Sequence, residues 1–136
     1  MRVVALDYGS ARCGCAVSDP TGTLATPIEP VLNPGTRRGL GRVVAVIRER
    51  EADRVVLGLP IGLSGADTDQ TRETRAFAER LRAAVRGTPV DLFDERFTTA
   101  IAAKTGGGQA VTSEDSRAAA VLLEDWLARH RHEVQS

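Results

Sequence analysis

The chain has no excess of charge of either sign: its 18 basic residues are offset by 18 acidic ones. A nucleic-acid or phosphate partner must therefore be held by a local patch and not by the field of the whole molecule. Lysine is nearly absent, since every basic residue except Lys104 is arginine. That skew fits a coding bias as well as it fits phosphate forks, so it decides nothing by itself. Cysteine is scarce too. Cys13 and Cys15 are too few for a disulfide framework, and a bridge between residues two apart in one strand would be badly strained. The only histidines, His130 and His132, sit in a polar tail away from both thiols, so Cys13 and Cys15 read as small core residues and not as metal ligands. No apolar run approaches transmembrane length and no basic start leads into a signal-type segment, which implies a soluble, cytoplasmic protein.

What is present fits a single core within 136 residues. Val3 to Leu6 is β-rich, and Cys13 to Val17 follows a Gly-bearing turn as an antiparallel partner. In "SDPTG", Asp19, Pro20 and Gly22 suit a type I turn, so a third strand from Thr23 to about Val31 folds back again. Leu40, Val43, Val44 and Ile47 recur at helical spacing over Arg38 to Glu51. "RVVLGLP" is a buried strand closed by Pro60, and Thr68 to Val85 is a second helix with Phe77, Ala78, Leu81 and Val85 on one face. "VDLFDE" makes a last strand, "TSEDSRAAAVLLEDWLARH" a final helix, and a polar tail runs from about residue 129 to 136.

Three antiparallel strands followed by two helical crossovers predict a five-stranded mixed sheet flanked by helices. Right-handed crossovers put the fourth strand beside the first and parallel to it, with the fifth outside. Asp7, at the end of the first strand, then faces the crevice where open α/β sheets bind ligands. It shares its side-chain phase with Val3 and Ala5, which points it at a helix layer. A simpler role for Asp7 is to bond the turn amides near Gly9 and Ser10. The second acidic signal is "DERFTT": Asp94 and Glu95 point to opposite faces while the strand lasts, and phase alone does not choose between them; a strand-end ion pair with Arg96 is the alternative use. The third is Asp115, on the apolar stripe of Ala118, Ala119, Leu122, Leu123, Trp126 and Leu127; Thr112 and Ser113 are N-cap candidates, and Asp115 also suits the helix dipole.

Acids from three segments without His or Cys call for Mg²⁺ or Mn²⁺, and paired ions of that kind serve phosphoryl displacement. Ser10, Arg12, Arg96, Thr98, Thr99 and Lys104 are the candidates for holding a nucleic-acid phosphate, with Gly9 leaving room for it.

"LDYGSARCGCAVSD" (6–19), "GLPIGLSG" (58–65), "DERFTT" (94–99) and "DSRAAAVLLEDWL" (115–127) together resemble the YqgF/RuvX family, in the family's order and over nearly the whole chain. The resemblance implies an RNase H-like fold related to RuvC-type Holliday-junction resolvases. It implies a metal-dependent nuclease with Asp7, Glu95 and Asp115 as catalytic and metal-binding residues, Asp94 standing in reserve. Family members are assigned to 5′-end maturation of precursor 16S ribosomal RNA and to Holliday-junction resolution, which makes structured nucleic acid the partner, on ribosomal precursor particles or branched DNA. Two symmetric cuts in a four-way junction would suit a homodimer, although no segment identifies itself as an interface. Two departures stand out. The stretch "AIAAKTGGGQAVTSE" replaces a longer helical segment ending in a basic run, with Lys104 its only base, which weakens the expected grip on a phosphate backbone. Gly58 stands where RuvC-like enzymes carry an acid, so "DER" has to supply one. "LDYGS" also resembles the first phosphate loop of actin- and Hsp70-type ATPases, but those close two such domains over ATP. A non-catalytic RNA- or ribosome-binding module is the remaining alternative.

Overall fold

The computed structural model describes residues 1–62, 64–95 and 114–135, with residues 134 and 135 described as backbone only. Arg96, Thr98, Thr99, Lys104, the glycines 106–108 and the N-cap candidates Thr112 and Ser113 lie outside the described residues. In chain order the elements are β1 (Val3–Tyr8), β2 (Arg12–Ser18), β3 (Ala25–Leu32), α1 (Arg37–Glu49), β4 (Arg54–Leu59), α2 (Asp69–Ala84), β5 (Val90–Asp94), α3 (Glu114–Arg129) and α4 (Arg131–Gln135). The five-stranded sheet runs β3-β2-β1-β4-β5. β2 is antiparallel to β1 and β3, while β4 is parallel to β1 and β5, as the crossover rule predicts.

The sheet is covered on both faces, which is why β1 and β4 read as continuous apolar runs. Val4, Leu6, Val55 and Leu57 pack with Val43, Ile47, Phe77 and Leu81 of α1 and α2. On the other face Val3, Ala5 and Val56 pack with Ala119, Leu123 and Trp126 of α3. Cys13 and Cys15 are free and buried on the α1/α2 face, so the core-thiol reading holds.

Local chemistry trims several predicted boundaries. β3 begins at Ala25 and not at Thr23, because the Asp19 carboxylate accepts the N–H groups of Thr23 at 2.8 Å and Leu24 at 2.9 Å. The same turn is closed by the Gly22 N–H donating to the Asp19 carbonyl at 2.9 Å, with Gly22 at φ 72°. These bonds and that of the Thr21 hydroxyl hold the Asp19 carboxyl down at about 2. α1 stops at Glu49, capped by Arg50, and Glu51 takes a left-handed φ of 51° that ends the helical path. α2 lies between the caps Thr68 and Val85, and its buried face includes Thr71 and Thr74, which a search for apolar residues passes over. Thr71 closes a reciprocal capping box with Thr68 and also donates its hydroxyl to the Pro60 carbonyl, tying α2 to the end of β4.

The polar tail is built onto the domain. α4 follows α3 directly, and the His130 ring stacks on Trp126 with centroids 4.1 Å apart. Arg54 places its guanidinium 5.7 Å over the same indole and pairs with Asp91 at 3.0 Å and Glu133 at 3.6 Å. Among the described residues no helix is long and apolar enough to cross a membrane.

Candidate active site

Asp7 is the third residue of the β1 face that carries Val3 and Ala5, so its side chain points toward α3. Glycines flank it on both neighbouring strands. Gly14 pairs directly with Asp7 across the β1–β2 ladder, and Gly58 follows Leu57, the parallel partner of Leu6. A Cβ on Gly14 would stand 2.0 Å from the Asp115 carbonyl oxygen and 2.8 Å from the Ser116 nitrogen. The first turn of α3 therefore rests on the bare backbone of β2. The register between β2 and β3 shifts between Cys13 and Cys15, and the Cys15 N–H donates to the buried Ser116 hydroxyl at 3.2 Å. Docked in this way, α3 carries Asp115 to the edge of Asp7.

The second glycine makes room for a side chain. A Cβ on Gly58 would lie 2.7 Å from Glu95 Oε1 and 3.1 Å from Leu122 Cδ2. Gly58 pairs with Phe93, which packs on the α3 face, and Glu95 continues that phase two residues on. Asp94 instead shares the phase of Leu92, which packs toward α1 and α2. The strand-end ambiguity is thus decided by the face Phe93 takes. A sequence pattern that cannot tell which face Phe93 covers cannot supply that information.

Asp7 and Glu95 share a hydrogen bond, and the Asp7 carboxyl is pushed up to about 8. Burial is the main cause, followed by the Glu95 charge, the shared hydrogen bond and the Asp115 charge. Arg12 is the nearby counter-charge, its Nη1 4.0 Å from Asp115 Oδ2 with more than half of its side chain exposed. Among the described residues no three His, Cys, Asp or Glu side chains already stand at metal-ligating spacing. The donor set itself suits a hard divalent cation: three carboxylates and no softer ligand.

Ser10 and Arg12 lie exposed on the β1–β2 turn beside Asp7. The role expected for Gly9 needs correction. It does not adopt a left-handed φ, and the space its missing Cβ leaves is occupied by the Arg12 carbonyl oxygen, 2.9 Å from where that Cβ would stand. Gly9 tightens the turn and opens no phosphate slot. Gly14 and Gly58 are candidate-site residues with no local sequence signal of their role, since what approaches each of them comes from a distant segment.

Comparison with known proteins places these features in context. The family model described as "RuvX: Holliday junction resolvase" matches residues 1–129. A protein of Rhodococcus erythropolis (strain PR4 / NBRC 100887) named "Putative pre-16S rRNA nuclease" is 38% identical over 144 residues, covering 98% of this chain and 81% of the relative. One of the same name from Thermobifida fusca (strain YX) is 42% identical over 144 residues, covering 94% of this chain and 87% of the relative. Among solved structures, RuvC of T. thermophilus in complex with a Holliday junction substrate superposes with a TM-score of 0.69 at 16% identity, covering 98% of this chain and 97% of that one. At that identity the likeness establishes the fold, which is the RNase H-like fold of RuvC.

Proposed function

The chain belongs to the RuvX family, and from that premise we propose that it is a divalent-metal-dependent nuclease acting on structured nucleic acid. Its first substrate is the 5′ end of precursor 16S ribosomal RNA, processed in the cytoplasm on precursor particles; a four-way DNA junction is the second. The observation that carries this reading is the meeting of Asp7, Glu95 and Asp115 on one face of the sheet, made possible by glycine on both strands beside Asp7.

Asp7, Glu95 and Asp115 would hold Mg²⁺ or Mn²⁺, which would supply charge stabilisation to phosphodiester hydrolysis. Asp7 would be the shared member of that set, since it interacts with both Glu95 and Asp115. To serve it has to lose its proton and its bond to Glu95, which frees both carboxylates together. Arg12, drawn toward Asp115 in the free protein, is long and exposed enough to turn its guanidinium onto a non-bridging phosphate oxygen. The Ser10 hydroxyl is a second phosphate contact on the same turn, and Arg96, Thr98, Thr99 and Lys104 extend the grip beyond it.

The test compares Mn²⁺- and Mg²⁺-dependent cleavage of a ribosomal-RNA precursor fragment and of a four-way DNA junction by the unmodified protein and by Asp7→Asn. Cleavage abolished in Asp7→Asn supports the proposal, and the preferred substrate ranks the two roles. Tight RNA binding without cleavage by the unmodified protein would replace the nuclease with a binding module, and cleavage indifferent to Asp7 would overturn the catalytic assignment of Asp7.

A further inference from the structure

Most surface arginines have partners inside the molecule. Arg2, Arg54, Arg72, Arg75 and Arg82 pair with acids, and Arg48 and Arg80 donate to the carbonyls of Ala84 and Gly35. Six exposed arginines have no side-chain hydrogen-bond or ion-pair partner among the described residues: Arg50, Arg86 and Arg131 lie apart from one another in the sequence, whereas Arg37, Arg38 and Arg42 fall together at the start of α1. Between Glu29 and Glu49 the sequence contains four arginines and no acid, although the chain as a whole is neutral. Arg42 borders a groove of about 330 Å³ that Glu29 and Glu49 also line, yet it pairs with neither.

Gly41 lies among these arginines and adds an independent observation. It sits in the helix interior, where glycine weakens a helix relative to alanine. Gly39, two residues earlier, has a structural reason, since a Cβ there would stand 1.9 Å from the Asn33 carbonyl oxygen; a Cβ on Gly41 would meet nothing within 4 Å. Packing does not require the bare backbone at Gly41. A ligand that comes against the helix would.

The ridge is also at the right end of the molecule. β3 runs parallel to β1, so α1 begins at the end of the sheet where Asp7 lies. Asn33 N–H donates to the Ala11 carbonyl at 2.9 Å, joining the start of α1 to the turn that carries Ser10 and Arg12. α1 covers the face opposite α3, so a strand whose cleaved phosphate rests at the acids reaches the ridge over the rim formed by that turn.

We infer that Arg37, Arg38 and Arg42, with Gly41 as the gap between them, form a second phosphate-backbone site for the nucleic-acid substrate, away from the cleaved bond. It rests on the nuclease reading, and it supplies the electrostatic grip that "AIAAKTGGGQAVTSE", with Lys104 as its only base, does not.

The experiment is fluorescence-anisotropy binding of a labelled ribosomal-RNA precursor fragment and a labelled four-way DNA junction, in chelator to prevent cleavage, across about 50–200 mM salt. The combined substitution Arg37→Gln, Arg38→Gln, Arg42→Gln is expected to weaken binding about 10- to 100-fold and to reduce the log–log salt slope by about 2–3. Arg50→Gln, at the other end of α1, is expected to leave both nearly unchanged. Gly41→Ala is expected to raise Tm by about 3–6 °C while weakening binding. The substrate that loses more affinity is the one the ridge serves. Unchanged affinity and slope in the triple variant, or Gly41→Ala that stabilises without weakening binding, overturns the ridge alone. No binding of either nucleic acid by the unmodified protein overturns the nuclease reading and the ridge with it.

Discussion

Gly14 and Asp115 are in main-chain contact: the position a Cβ would take on Gly14 is 2.0 Å from the Asp115 carbonyl oxygen. A side chain there has to push the first turn of α3 off the sheet, since backbone cannot rotate away as a flexible side chain can. Gly14→Ala is therefore expected to destabilise the protein by about 2–4 kcal/mol and to abolish cleavage. Denaturant titration checks the first and the precursor cleavage assay the second. Wild-type stability would mean that α3 is not held where it is described.

Gly58→Ala separates the site from the fold. The nearest atom to the added Cβ is the far end of the Glu95 side chain, which can swing aside, so the expected stability cost is only about 0.5–1.5 kcal/mol. Cleavage should nevertheless fall sharply, because the carboxylate is displaced from Asp7. Calorimetry alongside turnover would show the split; full activity in a folded Gly58→Ala protein would remove Glu95 from the site.

Asp7 gives a pH dependence of defined sign. Its carboxyl is raised from the ordinary carboxylate range to about 8, so the folded chain prefers it protonated. The associated stability is fully present below the ordinary carboxylate value and is lost as pH rises through about 8. Metal-free protein should accordingly show a falling Tm between about pH 5 and 9. Asp7→Asn should flatten that fall and stabilise the protein at pH 9 by about 1–3 kcal/mol, the scale of relieving a buried charge. Mn²⁺ should restore Tm at high pH in the unmodified protein and not in Asp7→Asn. Thermal scans in chelator and in Mn²⁺ across that range decide it.

Thr71→Val keeps the volume and removes the hydroxyl that serves both Thr68 and the Pro60 carbonyl. The expected loss is about 1–2 kcal/mol, the size of a cap together with a buried hydrogen bond. Cleavage should persist at a temperature where the variant remains folded, which an assay at low temperature would establish.

The order of strands was legible because burial on two faces leaves unbroken apolar runs, and because Asp19, Pro20 and Gly22 mark their turn openly. Asp7 was legible for the same reason, through its phase with Val3 and Ala5. Two kinds of information were not. Glycines that matter by what approaches them from a distant segment, such as Gly14 under Asp115, give no local signal. Polar residues on buried faces, such as Thr71 and Ser116, are invisible to an apolar pattern, since their burial is set by partners more than ten residues away in sequence.

Trp126, the chain's single tryptophan, is fully buried on α3, the helix that also bears Asp115, with the His130 ring against its indole. The protein's single indole emitter, which red-edge excitation separates from Tyr8, thus lies on the element whose seating assembles the candidate site. Any event that lifts or tightens α3 changes the surroundings of that one emitter, so the colour and intensity of its light report the state of the site without a label.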